Sequence, residues 1–412
     1  MSAGASGRGP GPLAGIRVLE IATTWAGPLC GCLLADFGAE VIKLEHPEGE
    51  IARHAPPALP GTDPPLSFMH ATVNRNKRSL ALDLRDREAA AIALELAARC
   101  DVLVENFRPG TLERLGLGYA AIRGRRPDII YVSISGYGQD GPDRERAGYD
   151  PLAQAESGFL SLNGSPEGEP VKAPTFLGDD FAGLHAALAA LAALHHRNRT
   201  GEGQHIDLAL LDAMLFQSTG YLTLGAMGVP LPRMGNDFRI GAPARVFACR
   251  NGHVMAGVLL DAHWRRLTEL LGRPDLVRDP RFATAAGRIA HREEASRPLE
   301  EFCAARTVEE VVGAFRGAGL PAAPVRTYAE AARSAHVRDR GLLAVVDHGD
   351  GVPVPVVAPP ARFSATPVGV RSPAPPLGAD DEDLLDELGV PAATRRALHR
   401  RGALGPRRPG AG

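Results

Sequence analysis

Lysine is nearly absent from this chain: Lys43, Lys77 and Lys172 are the only three, and arginine carries almost all the positive charge. Aromatic residues make up just 5% of the sequence. Neither sign of charge dominates, and a formal net charge of -2 excludes general attraction to nucleic acid or to an anionic membrane. The five cysteines, Cys30, Cys32, Cys100, Cys249 and Cys303, form no C-x-x-C pair and no zinc-ligand spacing. His195 and His196 are consecutive and diverge on a helix, so no metal site is expected. No G-x-S-x-G elbow is present. The N-terminal stretch lacks the apolar segment of a signal peptide, and the run Ala186–Leu194 is far too short to span a bilayer. A reduced, cytoplasmic protein without nucleic-acid or membrane partners is the expectation.

A composition of 44% hydrophobic and 23% charged residues describes an ordered globular chain. Residues 1–12 and 401–412, rich in Gly, Pro and Arg, are expected to be disordered tails. Between them, short apolar strands at 16–21, 41–44, 101–104 and 129–134 alternate with helical patterns at 29–37 and 86–99. That alternation predicts an α/β domain with a mostly parallel sheet over residues 13–225. A smaller α+β domain is expected over 226–330, with a hairpin turning at Asn251-Gly252 and helices near 263–271, 288–302 and 308–317. Residues 331–400, with extended pieces at 353–357 and 361–364, either form a unit of their own or return to the first sheet.

The first strand–turn–helix–strand invites a dinucleotide reading, with Glu45 where a ribose would be received. Its turn reads Ala22-Thr23-Thr24-Trp25-Ala26-Gly27-Pro28, without the glycines that bring backbone close to a pyrophosphate. No tightly bound NAD or FAD is expected.

Four polar stretches supply candidate chemistry. Asn74-Arg75-Asn76-Lys77-Arg78-Ser79 places cations in a loop before a strand, either as phosphate ligands or as a solvated turn. Glu105-Asn106-Phe107-Arg108-Pro109-Gly110 follows a strand, where open α/β sheets place ligands. Ser135-Gly136-Tyr137-Gly138-Gln139 also follows a strand, and Tyr149-Asp150 lies just beyond; Asp150 either meets a ligand or caps the next segment. The fourth, Asp179-Asp180, precedes a smooth helix running from Leu184 to Leu194. A carboxylate there is a cap, an acid or base, or a nucleophile, and capping is the commoner local use. Helix-start amides would keep such a group ionised and lower its basicity.

Several of these blocks, in this order, resemble the family III coenzyme A transferases, which include formyl-CoA and carnitine CoA transferases and have α-methylacyl-CoA racemases as relatives. The matches include Gly15-Ile16-Arg17-Val18-Leu19-Glu20, Ala26-Gly27-Pro28, Ala35-Asp36-Phe37-Gly38-Ala39-Glu40-Val41-Ile42-Lys43, Asn76-Lys77-Arg78-Ser79, Val104-Glu105-Asn106-Phe107-Arg108-Pro109-Gly110 and Gly201-Glu202-Gly203-Gln204-His205. They cover about residues 13–390. The resemblance implies a Rossmann-like large domain, a small domain, a C-terminal return over 331–400 and an interlocked homodimer. It implies an acyl-CoA donor and a carboxylic acid acceptor as substrates, with no tightly bound cofactor. The family nucleophile is an aspartate followed four residues later by glycine, which points to Asp179 with Gly183 and not to Asp180. By the same carry-over Lys77, Arg78, Asn106, Arg108 and Trp25 would contact coenzyme A, while Tyr149, Gly138 and Gln139 would line the acyl pocket. The family glutamine of the first turn is Trp25 here, and the extended glycine loop is replaced by Arg239-Ile240-Gly241-Ala242-Pro243, which argues against formyl specificity. Racemisation needs two acid/base groups; the racemase histidine position is Tyr149, a poor proton relay, so transfer is favoured over racemisation.

Overall fold

A computed structural model describes residues 11–349 and 351–405. The remainder of the two expected disordered tails lies outside the described residues. Residues 401–405, expected to be part of such a tail, instead pack: Leu404 bridges Leu82, Asp83 N–H donates to Ala403 O, and Gly405 N–H to Ala81 O.

The chain divides into two compact units. One is drawn from Met1–Phe159, Ala173–Ala226 and Val337–Gly412, the other from Leu160–Lys172 and Met227–His336. The span 13–225 is therefore interrupted, because Leu160–Lys172 belongs with the second unit.

The first unit is built on a six-stranded sheet of β1 (Arg17–Ile21), β2 (Glu40–Glu45), β3 (Lys77–Ala81), β4 (Val102–Glu105), β5 (Ile130–Ser135) and β6 (Gln204–Ala209). Its order is β3-β2-β1-β4-β5-β6, and every pairing is parallel. Such strands are buried on both faces, which is why they read as short unbroken apolar runs. On one face Leu19, Ile42, Leu80, Leu103 and Tyr131 pack with Ala93 and Leu96. On the other, Val18, Val41, Val104 and Val132 meet Cys30 and Leu34, together with Ala182, Ala186 and Ala190.

The helices that matter here are α1 (Ala26–Asp36), α2 (Arg87–Ala98), α3 (Asp150–Glu156), α4 (Leu177–Thr200) and α5 (Leu210–Phe216). The start of α4 departs from expectation: the acidic pair lies inside its first turn, with Phe176 as N-cap. By length and composition α4 could also cross a membrane; its alanine stripe is instead packed in the second face of the core. Gly183 makes that packing possible. A Cβ there would sit 2.8 Å from Ala26 O and 3.0 Å from Leu29 Cβ, so α4 lies directly on the start of α1.

The C-terminal part of the first unit covers the free edge of β3. Asp380 accepts from Ser79 N–H at 2.8 Å and returns its own N–H to Ser79 O, while Asp381 accepts from Ala81 N–H at 2.8 Å. An exposed parallel edge is a template for aggregation, and this segment closes it. The piece at 353–357 pairs with Leu343–Asp347 as a hairpin, whereas 361–364 forms no strand.

The second unit carries an antiparallel sheet of Ala244–Cys249, Gly252–Gly257 and Ala322–Pro324, with Phe247, Trp264, Phe282 and Phe315 in its core. The helix expected over 288–302 is divided at His291 into Ala285–Ala290 and Arg292–Ala304.

Candidate active site

The site grows from the turn that follows β1. Lys43 is fully buried; its ammonium donates to Ala22 O at 2.9 Å and lies 3.2 Å from Glu20 and 3.5 Å from Glu50. Burial alone would lower the Lys43 pKa, but Glu20, Glu50 and Glu45 outweigh it, so the group stays charged. Glu50 in turn accepts from Thr24 N–H at 3.0 Å and Ala52 N–H at 2.9 Å. Thr24 needs that support, because its φ of 67° is costly for a β-branched residue. Across the switch point between β1 and β4, the Asn106 amide accepts from Thr23 N–H and donates to Thr23 O, both at 2.8 Å. Asn106 thus fastens the turn and occupies the crevice where a dinucleotide would lie. Glu45, the candidate ribose acceptor, is spent on Arg53 at 2.5 and 2.7 Å.

From this turn Trp25 projects its indole N–H to Asp180 Oδ1 at 2.7 Å, and its ring meets Phe176 edge-on at 5.3 Å. The entrance of α4 has no cap from its own N-cap residue. The Gly178 amide is satisfied from α3 instead, by Asp150 Oδ1 at 2.7 Å. Asp150 therefore caps α4, not the segment that follows it. Its other oxygen accepts from Gln154 Nε2 at 2.7 Å, and Gln154 also holds Ala173 N–H and Thr175 O. Delivery of Asp150 depends on two glycines in contact: a Cβ on Gly136 would lie 2.5 Å from Gly148 Cα.

Asp179 sits between these braced neighbours, half-buried and without a hydrogen bond or ion pair among the described residues. Burial, then the charges of Asp150 and Asp180, push its carboxyl up to about 7. The helix-start expectation of a lowered basicity is thus reversed, because desolvation and two like charges exceed the helix-terminus effect. Asp180 is also raised, by burial, against the opposing pull of the Trp25 hydrogen bond. A carboxylate that is partly desolvated and unbonded is chemically suited to attack on an activated acyl group.

The structure divides the remaining candidates. Gly138, at φ 93°, donates its N–H to Ser135 Oγ, and Gln139 N–H is held by Asp207 at 2.9 Å, while Gln139 Nε2 is buried and, among the described residues, without a partner. Tyr149 is 65% exposed at the N-cap of α3, next to Asp150. Arg108 is exposed beyond β4 and, among the described residues, unpaired. Lys77 departs from the coenzyme-contact expectation. Its buried ammonium donates to Pro28 O at 2.8 Å and Asn74 Oδ1 at 2.9 Å and is ion-paired with Glu20 Oε2 at 2.6 Å, so it is committed inside the protein. Arg78 is likewise committed, to Glu40, Asp380 and Glu387, and ties the C-terminal segment to the sheet. Asn106 acts on the turn and not outward. Sequence reasoning gave Asp180 no role and did not single out Glu50: the partner of Asp180 is 155 residues away, and nothing local signals it.

The parallel order 3-2-1-4-5-6, with polar loops gathered at the carboxyl ends of the central strands, defines a doubly wound α/β protein. Residues 13–381 match the family model of CoA-transferase family III, and the chain belongs to that family. Its general chemistry is therefore CoA transfer. The chain is 38% identical to a succinate–glutarate CoA-transferase of Agrobacterium fabrum, over 92% of this chain and 96% of the relative. It is 37% identical to a succinyl-CoA:mesaconate CoA-transferase of Haloarcula hispanica, over 94% and 98%. Among solved structures, a CAIB/BAIF family protein from Brucella suis superposes with a TM-score of 0.82 at 35% identity, covering 92% of this chain and all of that one.

Two outcomes follow from this geometry. Lys77→Met removes one of the two buried cations beside Glu20 and the buried partner of Asn74, and should cost about 3–5 kcal/mol in chemical denaturation, where a coenzyme contact would alter KM with stability intact. For Asp179, the folded chain holds a proton up to about pH 7 that the unfolded chain loses near 3.8, so stability falls as pH rises through that window. Asp179→Asn should accordingly raise the Tm at pH 8 and leave it nearly unchanged at pH 4, read by calorimetry.

Proposed function

We propose that this chain moves coenzyme A from an acyl-CoA to a free carboxylic acid with Asp179 as the nucleophile. One observation carries the reading: Asp179 is half-buried, lacks any polar partner among the described residues, and is pushed up to about 7 by burial and its acidic neighbours. The Asp179 carboxylate attacks the donor thioester carbonyl, forming a mixed anhydride and expelling the CoA thiolate. The thiolate attacks the Asp179 carbonyl, giving an aspartyl-CoA thioester and releasing the donor acid. The acceptor carboxylate then attacks that thioester, and the returning thiolate takes the acceptor acyl group, regenerating Asp179. No water enters, so the thioester energy is conserved.

Short dicarboxylic acids are the proposed substrates, with succinyl-CoA as donor. The succinate–glutarate and succinyl-CoA:mesaconate transferases support this class, each matching over nearly the full chain. Arg108, exposed and unpaired among the described residues, is the proposed contact for coenzyme phosphates. Tyr149, Gly138 and Gln139 are the proposed lining of the acyl pocket. A homodimer is proposed as well: Leu184 and Leu188 on α4 and Phe216 on α5 leave apolar surface exposed at 51%, 64% and 77%.

The test is a panel of free acids, from dicarboxylic to fatty, offered with succinyl-CoA and followed by mass spectrometry. Transfer to a short dicarboxylate is expected, with a loss of at least about 10³-fold in Asp179→Ala. α-Proton exchange with deuterated water in the absence of acceptor, without transfer to any acid, would instead assign racemase chemistry.

A further inference from the structure

The nucleophile is placed without being touched. Hydrogen bonds to the Asp179 carboxylate would lower its pKa and occupy the lone pairs it needs for attack. Its direction must then be set through its neighbours on α4. Phe176, Gly178 and Asp180 are all held from outside the helix, by the Trp25 ring, Asp150 and the Trp25 indole N–H respectively.

We propose that Trp25 and Asp180 form a positioning couple, in which the indole of the turn after β1 grips the carboxylate beside the nucleophile and so sets where Asp179 faces. This rests on the reading of Asp179 as nucleophile. The N–H···O bond of 2.7 Å has the length of a strong charge-assisted bond. Tryptophan has one donor, and here it is fully committed. Successive residues on an α-helix point about 100° apart, so Asp180 can be gripped while Asp179 stays clear. The grip is stiff at both ends. Lys43, Glu50 and Asn106 fix the backbone of Ala22, Thr23 and Thr24 immediately before Trp25. Gly183, one turn beyond Asp179, holds α4 against Ala26. Trp25 is thereby a positioning residue with only its ring face left for a bound acyl group. A simple packing role predicts something different: phenylalanine in its place would be neutral.

The test uses the full chain, with kcat and KM measured for transfer from succinyl-CoA to its best acceptor. Trp25→Phe and Asp180→Ala should each lower kcat about 10-fold, with donor KM changed less than about twofold. The double variant should be no worse than the poorer single one, since one interaction is lost in all three. Asp180→Asn keeps an acceptor oxygen and should retain kcat within about threefold of the parent. Trp25 emission, isolated as the difference between wild type and Trp25→Phe, should change in Asp180→Ala and not in Asp180→Asn. Should Trp25→Phe fold poorly, the two Asp180 variants decide the matter by kcat. Unchanged kcat in Trp25→Phe, or losses that multiply in the double variant, would overturn the couple alone. Absence of transfer by the wild-type protein would overturn the nucleophile reading, and the couple with it.

Discussion

A buried ionic cluster behind the first turn is the constraint on which the site depends. Glu20, Lys43 and Lys77 meet in the interior with side chains shut off from solvent. Ions taken so far from water are tolerable only when every donor finds an acceptor, and here the acceptors include the backbone of α1 and its turn. Lys43 binds Ala22 O and Lys77 binds Pro28 O, on either side of Trp25. Because the cluster is costly to open, the backbone between those points has little freedom. It is a poor device for stability and a good one for geometry.

That rigidity passes outward in a short chain of contacts. The turn holds Trp25, Trp25 holds Asp180, and Asp150 from α3 holds the amide of Gly178. Asp179 is left alone between them, with two like charges near it and part of its hydration removed. Each element restrains the helix entrance and, among the described residues, none holds the Asp179 carboxylate oxygens. An unsatisfied, partly buried carboxylate is a local cost that only surrounding structure can sustain.

Much of the fold was legible because buried parallel strands and amphipathic helices leave a period in the sequence. The strands at β1, β2, β4 and β5 and the Asn251-Gly252 hairpin were found within a residue or two of their bounds. The start of α4 was not, since Gly178, Asp179 and Asp180 are weak helix formers and their cap comes from Asp150, 28 residues earlier. Lys77 was ambiguous for a related reason. A cationic loop looks the same whether it faces phosphate or an internal glutamate, and Lys77 was decided by Glu20 on a strand two places away in the sheet. Asp179 itself was singled out by its spacing to Gly183, and packing explains that spacing: the glycine lets α4 lie on α1.

The central claim is that the Asp179 carboxylate becomes covalently joined to substrate in each turnover. When a carboxylic acid accepts CoA by this route, one of its oxygen atoms is left on the enzyme. The direct measurement is therefore turnover with acceptor acid labelled with ¹⁸O in its carboxylate, followed by mass analysis of the peptide that contains Asp179. The account predicts ¹⁸O in the Asp179 carboxylate after turnover, and none when donor acyl-CoA is omitted. Sustained CoA transfer with that peptide unlabelled would contradict it.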